Sequence, residues 1–220
     1  MEVFEYMGEN WSYILEKLWQ HFYIFLISWA FAIVAGILLG IFVTRSGNEK
    51  IGKVVLSISG AAQAIPSIAV IALIFVFLGI GALPAMVALF IYSLVPIVFN
   101  SASGLLNVDP SVKESARGMG MSNSQILRKV ELPLVIPTVF SGIRTAAVIN
   151  IGTAAIAATI GAGGLGEIIL LGLRMMSYPR ILAGAIPVTL LAIVIDIILA
   201  RLQKRIISPG LKILQEGRSF

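Results

Sequence analysis

Long apolar runs separated by short polar interruptions dominate this chain, and the run lengths set its architecture. Residues 18–44 contain no Asp, Glu, Lys or Arg, and their centre, 22–43, is nearly all apolar. One membrane-crossing helix, which needs about 20 apolar residues, fits there. Residues 54–108 form a second charge-free run of 55 residues. As one straight helix this run would extend about 80 Å, against a hydrocarbon layer of about 30 Å. Two crossings must share it, and the glycines and proline of GIGALP, Gly79 to Pro84, favour a turn between them. A further run from Leu132 to about Ile160 is interrupted only by Arg144, and the last, Ile181 to Ala200, holds the single charge Asp196. The pattern predicts an all-α polytopic fold with five transmembrane helices near 22–44, 54–78, 83–100, 132–160 and 181–200. A polar loop, 101–131, divides the third from the fourth. Four- and six-crossing arrangements differ from this mainly in how 161–180 is counted.

Composition agrees. Of 220 residues 58% are hydrophobic and only 12% charged, against about 25% charged in a soluble domain; mean hydropathy is +0.98. There is too little polar surface to cover a water-soluble fold of this size. The net charge of +5 matters less than where the charges fall. Arg45, Lys50 and Lys53, then Lys113, Arg117, Arg128 and Lys129, then Arg201, Lys204, Arg205, Lys212 and Arg218 all lie on one side of a five-crossing layout. The other side carries Lys17, Arg174 and Arg180. Basic loops stay in the cytoplasm, so the N-terminal segment 1–21 is expected outside and the tail 206–220 inside. Trp11, Ile14, Leu15, Leu18, Trp19 and Phe22 share one helical face. They read equally as an interfacial helix or as an aqueous extension of the first span. Four acidic residues and one lysine in the first 20 positions argue against a cleavable signal peptide. With no cysteine and a single histidine, His21, neither a disulfide nor a histidine-built metal centre is expected, and no cofactor is implied.

The polar loop reads helix, glycine elbow, helix. Asp109-Pro110 is a helix opening, with a capping carboxylate before a proline that needs no bonded N–H. Gly118-Met119-Gly120 permits a change of direction, and Ser122 with Gln125 fits a capping box for a second helix over 123–132, with Pro133 marking where it meets the membrane run. This outline has a helix-turn-helix shape. Asp109, Glu114 and Glu131 leave the loop at only about +1, however, and a membrane segment follows at once where a groove reader would need a free domain. DNA binding is excluded. Glu114, Gly118, Met119, Gly120 and Met121 instead offer small and thioether surface suited to a groove of another protein.

The loop resembles the signature of permease subunits of binding-protein-dependent ABC importers: Glu-Ala-Ala, three residues, Gly, nine residues, Ile-x-Leu-Pro. Here Glu114, Ser115 and Ala116 are followed by Gly120, and then Val130, Glu131, Leu132 and Pro133. Ser115 for alanine and Val130 for isoleucine are the departures. The resemblance implies that Glu114 to Gly120, with Arg117, Gly118 and Met119, form a coupling helix seated on a cytoplasmic ATPase, braced by Val130, Leu132 and Pro133. Two ATPase subunits and a second permease, identical or homologous, are implied. The chain itself lacks a phosphate-binding loop, since GAGGLG at Gly161 to Gly166 has no Gly-Lys-Ser/Thr. QAIPS at 63–67 together with GAGGLG looks like the branch serving glycine betaine, carnitine, choline and related osmoprotectants, over roughly residues 15–205. Methionine and other amino-acid importers share a similar core, and an ion-driven secondary carrier is the alternative of another class. Some members of the branch carry a fused solute-binding domain after the last span; this chain stops at Phe220, so a separate extracytoplasmic binding protein is expected. That protein would hold the aromatic cage for a quaternary ammonium, leaving Trp11, Trp19 and Trp29 to anchor in lipid.

Within the spans, Pro66 strips a donor and frees the Ala62 carbonyl. Gln63, Pro66 and Ser67 therefore suggest a kink lining the passage. Small residues in the fourth span imply a central helix near a second permease. Arg144 is costly inside a membrane and must face protein or water, with Asp196 or Asn150 as partner; Asp196 itself also fits an interfacial position beside Arg201. Arg144, Asn150 and Glu167, the last beside the pliant outer loop 161–166, complete the candidate pathway residues.

Overall fold

The computed structural model describes residues 2–45 and 47–207; most of the predicted tail, 208–220 with Lys212 and Arg218, lies outside the described residues. The elements are α-helical throughout. A short α1 (Glu2–Glu9) precedes α2 (Trp11–Val43), followed by α3 (Glu49–Ala62), α4 (Ser67–Leu78) and α5 (Ala82–Leu106). The loop helices are α6 (Pro110–Gly118) and α7 (Asn123–Ile126). After a π-helical turn, Leu127–Glu131, come α8 (Leu132–Ala157), α9 (Leu165–Arg174) and α10 (Tyr178–Ile206). Among the described residues four helices are long and apolar enough to cross a membrane, and counting the bent pair α3–α4 as one span brings the number up to five.

The first crossing begins earlier than residue 22. α2 is unbroken from Trp11, 33 residues or about 50 Å, so the tryptophan-bearing segment is the extension of the span. About 20 Å of it projects beyond a 30 Å hydrocarbon layer. The third crossing likewise runs past residue 100 to Leu106, and the last starts at Tyr178 and reaches Ile206, beyond the 181–200 expected.

The larger correction concerns 54–78. α3 and α4 are separated by Gln63 to Pro66 and meet at 101°. Pro66 is the residue just before α4, with φ −60° and ψ 131°. A proline inside a continuous helix would leave a carbonyl without a donor; here the chain stops and restarts, and the Ala62 carbonyl takes the Ile65 N–H at 3.1 Å. Ala61 accepts from Ala64 at 3.0 Å, and Tyr92 of α5 donates its hydroxyl to the Ile65 carbonyl at 3.3 Å. The break is thus a satisfied corner instead of a kink.

The core lies where α2, α5 and α8 meet. Ile24, Ala85, Ala88, Leu89, Ala154 and Ala157 are buried together, with Ile71 of α4 closing one end. Close approach follows from small residues at a four-residue spacing: Ala32, Gly36 and Gly40 are all buried on one face of α2. A Cβ on Gly36 would stand 2.7 Å from Ile97 Cγ2, and one on Gly40 2.5 Å from Ser101 Cβ, so only glycine lets α5 in. The α8–α5 contact is similar, since a Cβ on Gly142 would meet the Pro96 carbonyl at 2.8 Å. α5 is the most enclosed span and α10 the least, which shifts the centre from the fourth crossing toward the third. α9, ten residues or about 15 Å, is too short to cross.

Candidate functional site

The signature loop stands at the end of the bundle where Arg45, Lys113, Arg117, Arg128 and Lys129 collect. Asp109 caps α6 by accepting the Ser111 N–H at 2.8 Å. Hydrogen bonding from Ser111 to the ionised form, its side chain first and then this backbone N–H, holds the Asp109 carboxyl below its usual range. The helix ends in a Schellman turn: Gly120 N–H donates to the Arg117 carbonyl at 2.9 Å and Met121 N–H to Ala116 at 3.1 Å. Such a turn places Gly120 in the left-handed region, at φ +79°. A Cβ there would have nothing within 4 Å, so backbone conformation requires this glycine, with no close approach of the second helix. Gly118, with ordinary φ, is simply the last helical residue.

Glu114, Ser115, Arg117, Gly118, Met119 and Gly120 are all exposed, Met119 at 70%, while Ala116 is buried and seats the helix. The surface suited to a partner is therefore presented as a unit. The capping box forms: Gln125 N–H donates to Ser122 Oγ at 3.4 Å and Ser122 N–H to Gln125 Oε1 at 2.8 Å. The second helix does not end at Pro133. The turn widens over Leu127–Glu131, Leu132 N–H reaching back five residues to Leu127, and the helix continues unbroken to Ile160. Widening relieves the clash of a proline ring with the carbonyl four residues before and dispenses with its missing donor. Val130 and Leu132 are half-buried and Pro133 exposed; Leu132 packs on Leu105, Val108 and Val135.

The chemically most constrained residue of the loop is Glu131, at 4% exposure. Its Oε2 accepts from Arg45 Nη1 at 2.8 Å and its Oε1 from Lys113 Nζ at 3.0 Å. Burial alone would raise the carboxyl's pKa; the hydrogen bonds from Arg45 and Lys113 outweigh it and hold the group below its usual range. The three side chains line a cleft of about 450 Å³ beneath α6, together with Arg117, Asn123 and Leu127. Sequence reasoning passed Glu131 over. One signal was available: it lies four residues before Val135, in the phase of the apolar face, where a charge needs partners. The partners, 86 and 18 residues away in sequence, were not legible.

The pathway candidates do not form one site. Gln63 and Pro66 are exposed and Ser67 half-buried at the corner between α3 and α4. Asn150 is wholly buried: its amide donates to Ser93 Oγ at 2.7 Å and Ser28 Oγ at 3.1 Å, tying α8 to α5 and α2. Arg144 takes Asp196 as its partner. Nη2 lies 2.8 and 2.9 Å from the two carboxylate oxygens and Nε 3.0 Å from one, while Nη1 donates to Gln203 at 3.2 Å. Asp196 is ten residues from the end of α10, so pairing with Arg144 explains it better than proximity to Arg201. Both side chains are about a third exposed. Glu167 belongs to the first turn of α9, where Lys17 bridges it at 2.6 Å and Tyr13 donates at 3.4 Å. Gln20 accepts the Gly164 N–H at 3.0 Å beside it, so these polar groups fasten α9 to the projecting part of α2.

An exposed short helix ended by a Schellman glycine is set between spans of a multi-pass bundle, and known proteins give that arrangement its class. Residues 32–208 match the family described as binding-protein-dependent transport system inner membrane component, and the chain belongs to that family: it is a transport-system permease. It is 42% identical to the carnitine transport permease protein OpuCB of Listeria monocytogenes, with 96% of each chain covered. With the osmoprotectant import permease protein OsmW of Salmonella typhimurium it shares 40% identity, over 96% of this chain and 100% of the other. The choline transport system permease protein OpuBB of Bacillus subtilis is 37% identical over 97% of this chain and 98% of its own. Among solved structures, an inward-facing form of the MetNI methionine ABC transporter superposes with a TM-score of 0.76 at 24% identity, covering 88% of this chain and 95% of that one.

Proposed function

We propose that this permease carries a small quaternary ammonium or zwitterionic solute of the glycine betaine, carnitine and choline class through a bacterial cytoplasmic membrane, by alternating access driven by ATP. Support for the solute class comes from relatives of 37–42% identity over nearly the whole chain, named for those compounds. The methionine transporter, at 24% identity, speaks to fold alone. The basic end of the bundle faces the cytoplasm and α1 the outside, as the distribution of Arg and Lys favours. Two ATPase subunits dock on the exposed faces of α6 from a pair of permeases, and a separate binding protein delivers the solute on the opposite side.

The observation that carries the coupling role is the presentation of Glu114 to Gly120 as one exposed surface anchored by buried Ala116. Closure of the ATPases around nucleotide shifts α6 and, through the continuous helix from Asn123 to Ile160, the bundle; the partner biases a two-state equilibrium. Liposomes containing this chain, its ATPase and its binding protein should take up labelled choline, carnitine or glycine betaine when ATP is inside, and excess methionine should not compete. Uptake of labelled methionine with no uptake of any quaternary ammonium would refute the solute assignment.

A further inference from the structure

We propose that Glu131 is a positioning residue that ties the coupling helix to the first membrane helix, so that α2 moves with α6. The inference rests on the coupling role proposed for α6 and adds a route that the covalent chain does not supply. Along the chain, α6 is followed by α7, the π-helical turn and α8, and its main packing is against α7 and that turn. A push on α6 reaches α8 directly. α2 ends at Val43, more than 60 residues before α6 in sequence, and packs on α5 and α8 within the bundle but not extensively on α6 itself, so a direct tie between α2 and α6 must come from side chains.

The Glu131 carboxylate provides one. Each oxygen serves a different element: Oε1 holds Lys113 of α6, and Oε2 holds Arg45, just past the end of α2. Both cations are held in turn by backbone. Arg45 Nε donates to the Ile41 carbonyl at 3.1 Å, the last turn of α2, and Lys113 Nζ to the Leu105 carbonyl at 3.3 Å, the last turn of α5. Three membrane helices and the coupling helix therefore meet at one buried anion. A buried carboxylate stripped of either cation is strongly disfavoured, so the two bridges hold or fail together, unlike exposed ion pairs that exchange with water. An amide in its place would keep one acceptor oxygen and turn an N–H₂ toward the other cation, cutting one of the two arms.

Arg45→Ala removes the α2 arm and leaves the buried carboxylate short of a cation, and Glu131→Gln weakens the junction itself. In liposomes with ATPase and binding protein, both variants should hydrolyse ATP while solute imported per ATP falls by about five-fold or more, the low end of ordinary coupling between sites. The double variant should be no worse than Glu131→Gln alone, and Glu131→Asp should recover part of the ratio. An unchanged ratio in both single variants, additive losses, or uptake and ATP turnover that decline only in step with assembled complex would overturn the proposal. A second measurement needs no transport. In the chain in nanodiscs, spin labels at Phe42→Cys and Ser115→Cys, both exposed in the folded protein, should report one narrow distance. Broadening by Glu131→Gln is expected, and an identical distribution would contradict the joint. A wild-type complex without ATP-driven uptake would refute the coupling role separately, and the labels would still decide the joint.

Discussion

Removing the Asp196 carboxylate isolates an arginine inside the bundle, and the cost can be worked from the structure. Asp196 receives two nitrogens of Arg144 between 2.8 and 3.0 Å, and only the Gln203 contact at 3.2 Å remains to the guanidinium without it. The helix carrying Arg144 is continuous over Asn123–Ile160, 38 residues or about 57 Å, which exceeds the hydrocarbon layer by about 27 Å. With that excess at its basic end, as proposed, Arg144 sits about a turn inside the boundary. An arginine at the centre of a span costs about 2.5–3.5 kcal/mol on insertion scales. One turn deep, partly exposed and able to stretch toward water, it should cost about 1–2 kcal/mol. Asp196→Ala should therefore destabilise by about that amount, and Arg144→Ala, which strands the carboxylate, by about as much. The double variant leaves no orphan charge and should lie within about 1 kcal/mol of wild type. Unfolding of detergent-solubilised protein followed by circular dichroism measures all four states of the cycle. Losses that simply add, or an Asp196→Ala protein as stable as wild type, would show that the pair does not neutralise a charge in the membrane.

Asn150→Ala should lower stability by about 1–2 kcal/mol in the same unfolding assay, because it breaks hydrogen bonds joining three spans, each worth about 0.6 kcal/mol on average and 1.7 at most. Selectivity among competing solutes should be unchanged, since the side chain is buried in packing. Gly120→Val forces a branched residue to φ +79°, a strain of about 1–2 kcal/mol at the end of α6. Uptake should fall while membrane insertion stays normal, and Gly120→Asn, which tolerates that conformation, should be milder. Equal activity of the valine and asparagine variants at wild-type level would contradict the Schellman account.

Local chemistry was legible in the sequence and long-range pairing was not. The capping carboxylate of Asp109, the box at Ser122 and Gln125, and the glycine turn at Gly120 are each specified within a few residues, and the structure forms all three. Run length likewise told how many crossings to expect. It could not tell a kink from a corner at Pro66, because both begin with the same missing donor; Tyr92, 27 residues away, helps to satisfy the corner. Asn150 was offered as a partner for Arg144 because an arginine in a span needs one, and the partners it takes, Ser28 and Ser93, lie on other helices. Glu167 was singled out for its place beside the pliant loop 161–166, and its partners Tyr13 and Lys17, 154 and 150 residues away, could not be read from the sequence. Pro133 was read as the point where the loop helix meets the membrane run; the wider turn before it lets one helix continue across that point.

The central claim is that α6 is the element on which the ATPase acts, and contact during turnover tests it most directly. With single cysteines at Glu114→Cys and Met119→Cys, a short crosslinker should join the permease to its ATPase subunit in transporting vesicles, and the crosslinked complex should lose uptake. Normal import from vesicles in which neither position ever crosslinks to the ATPase would contradict the account.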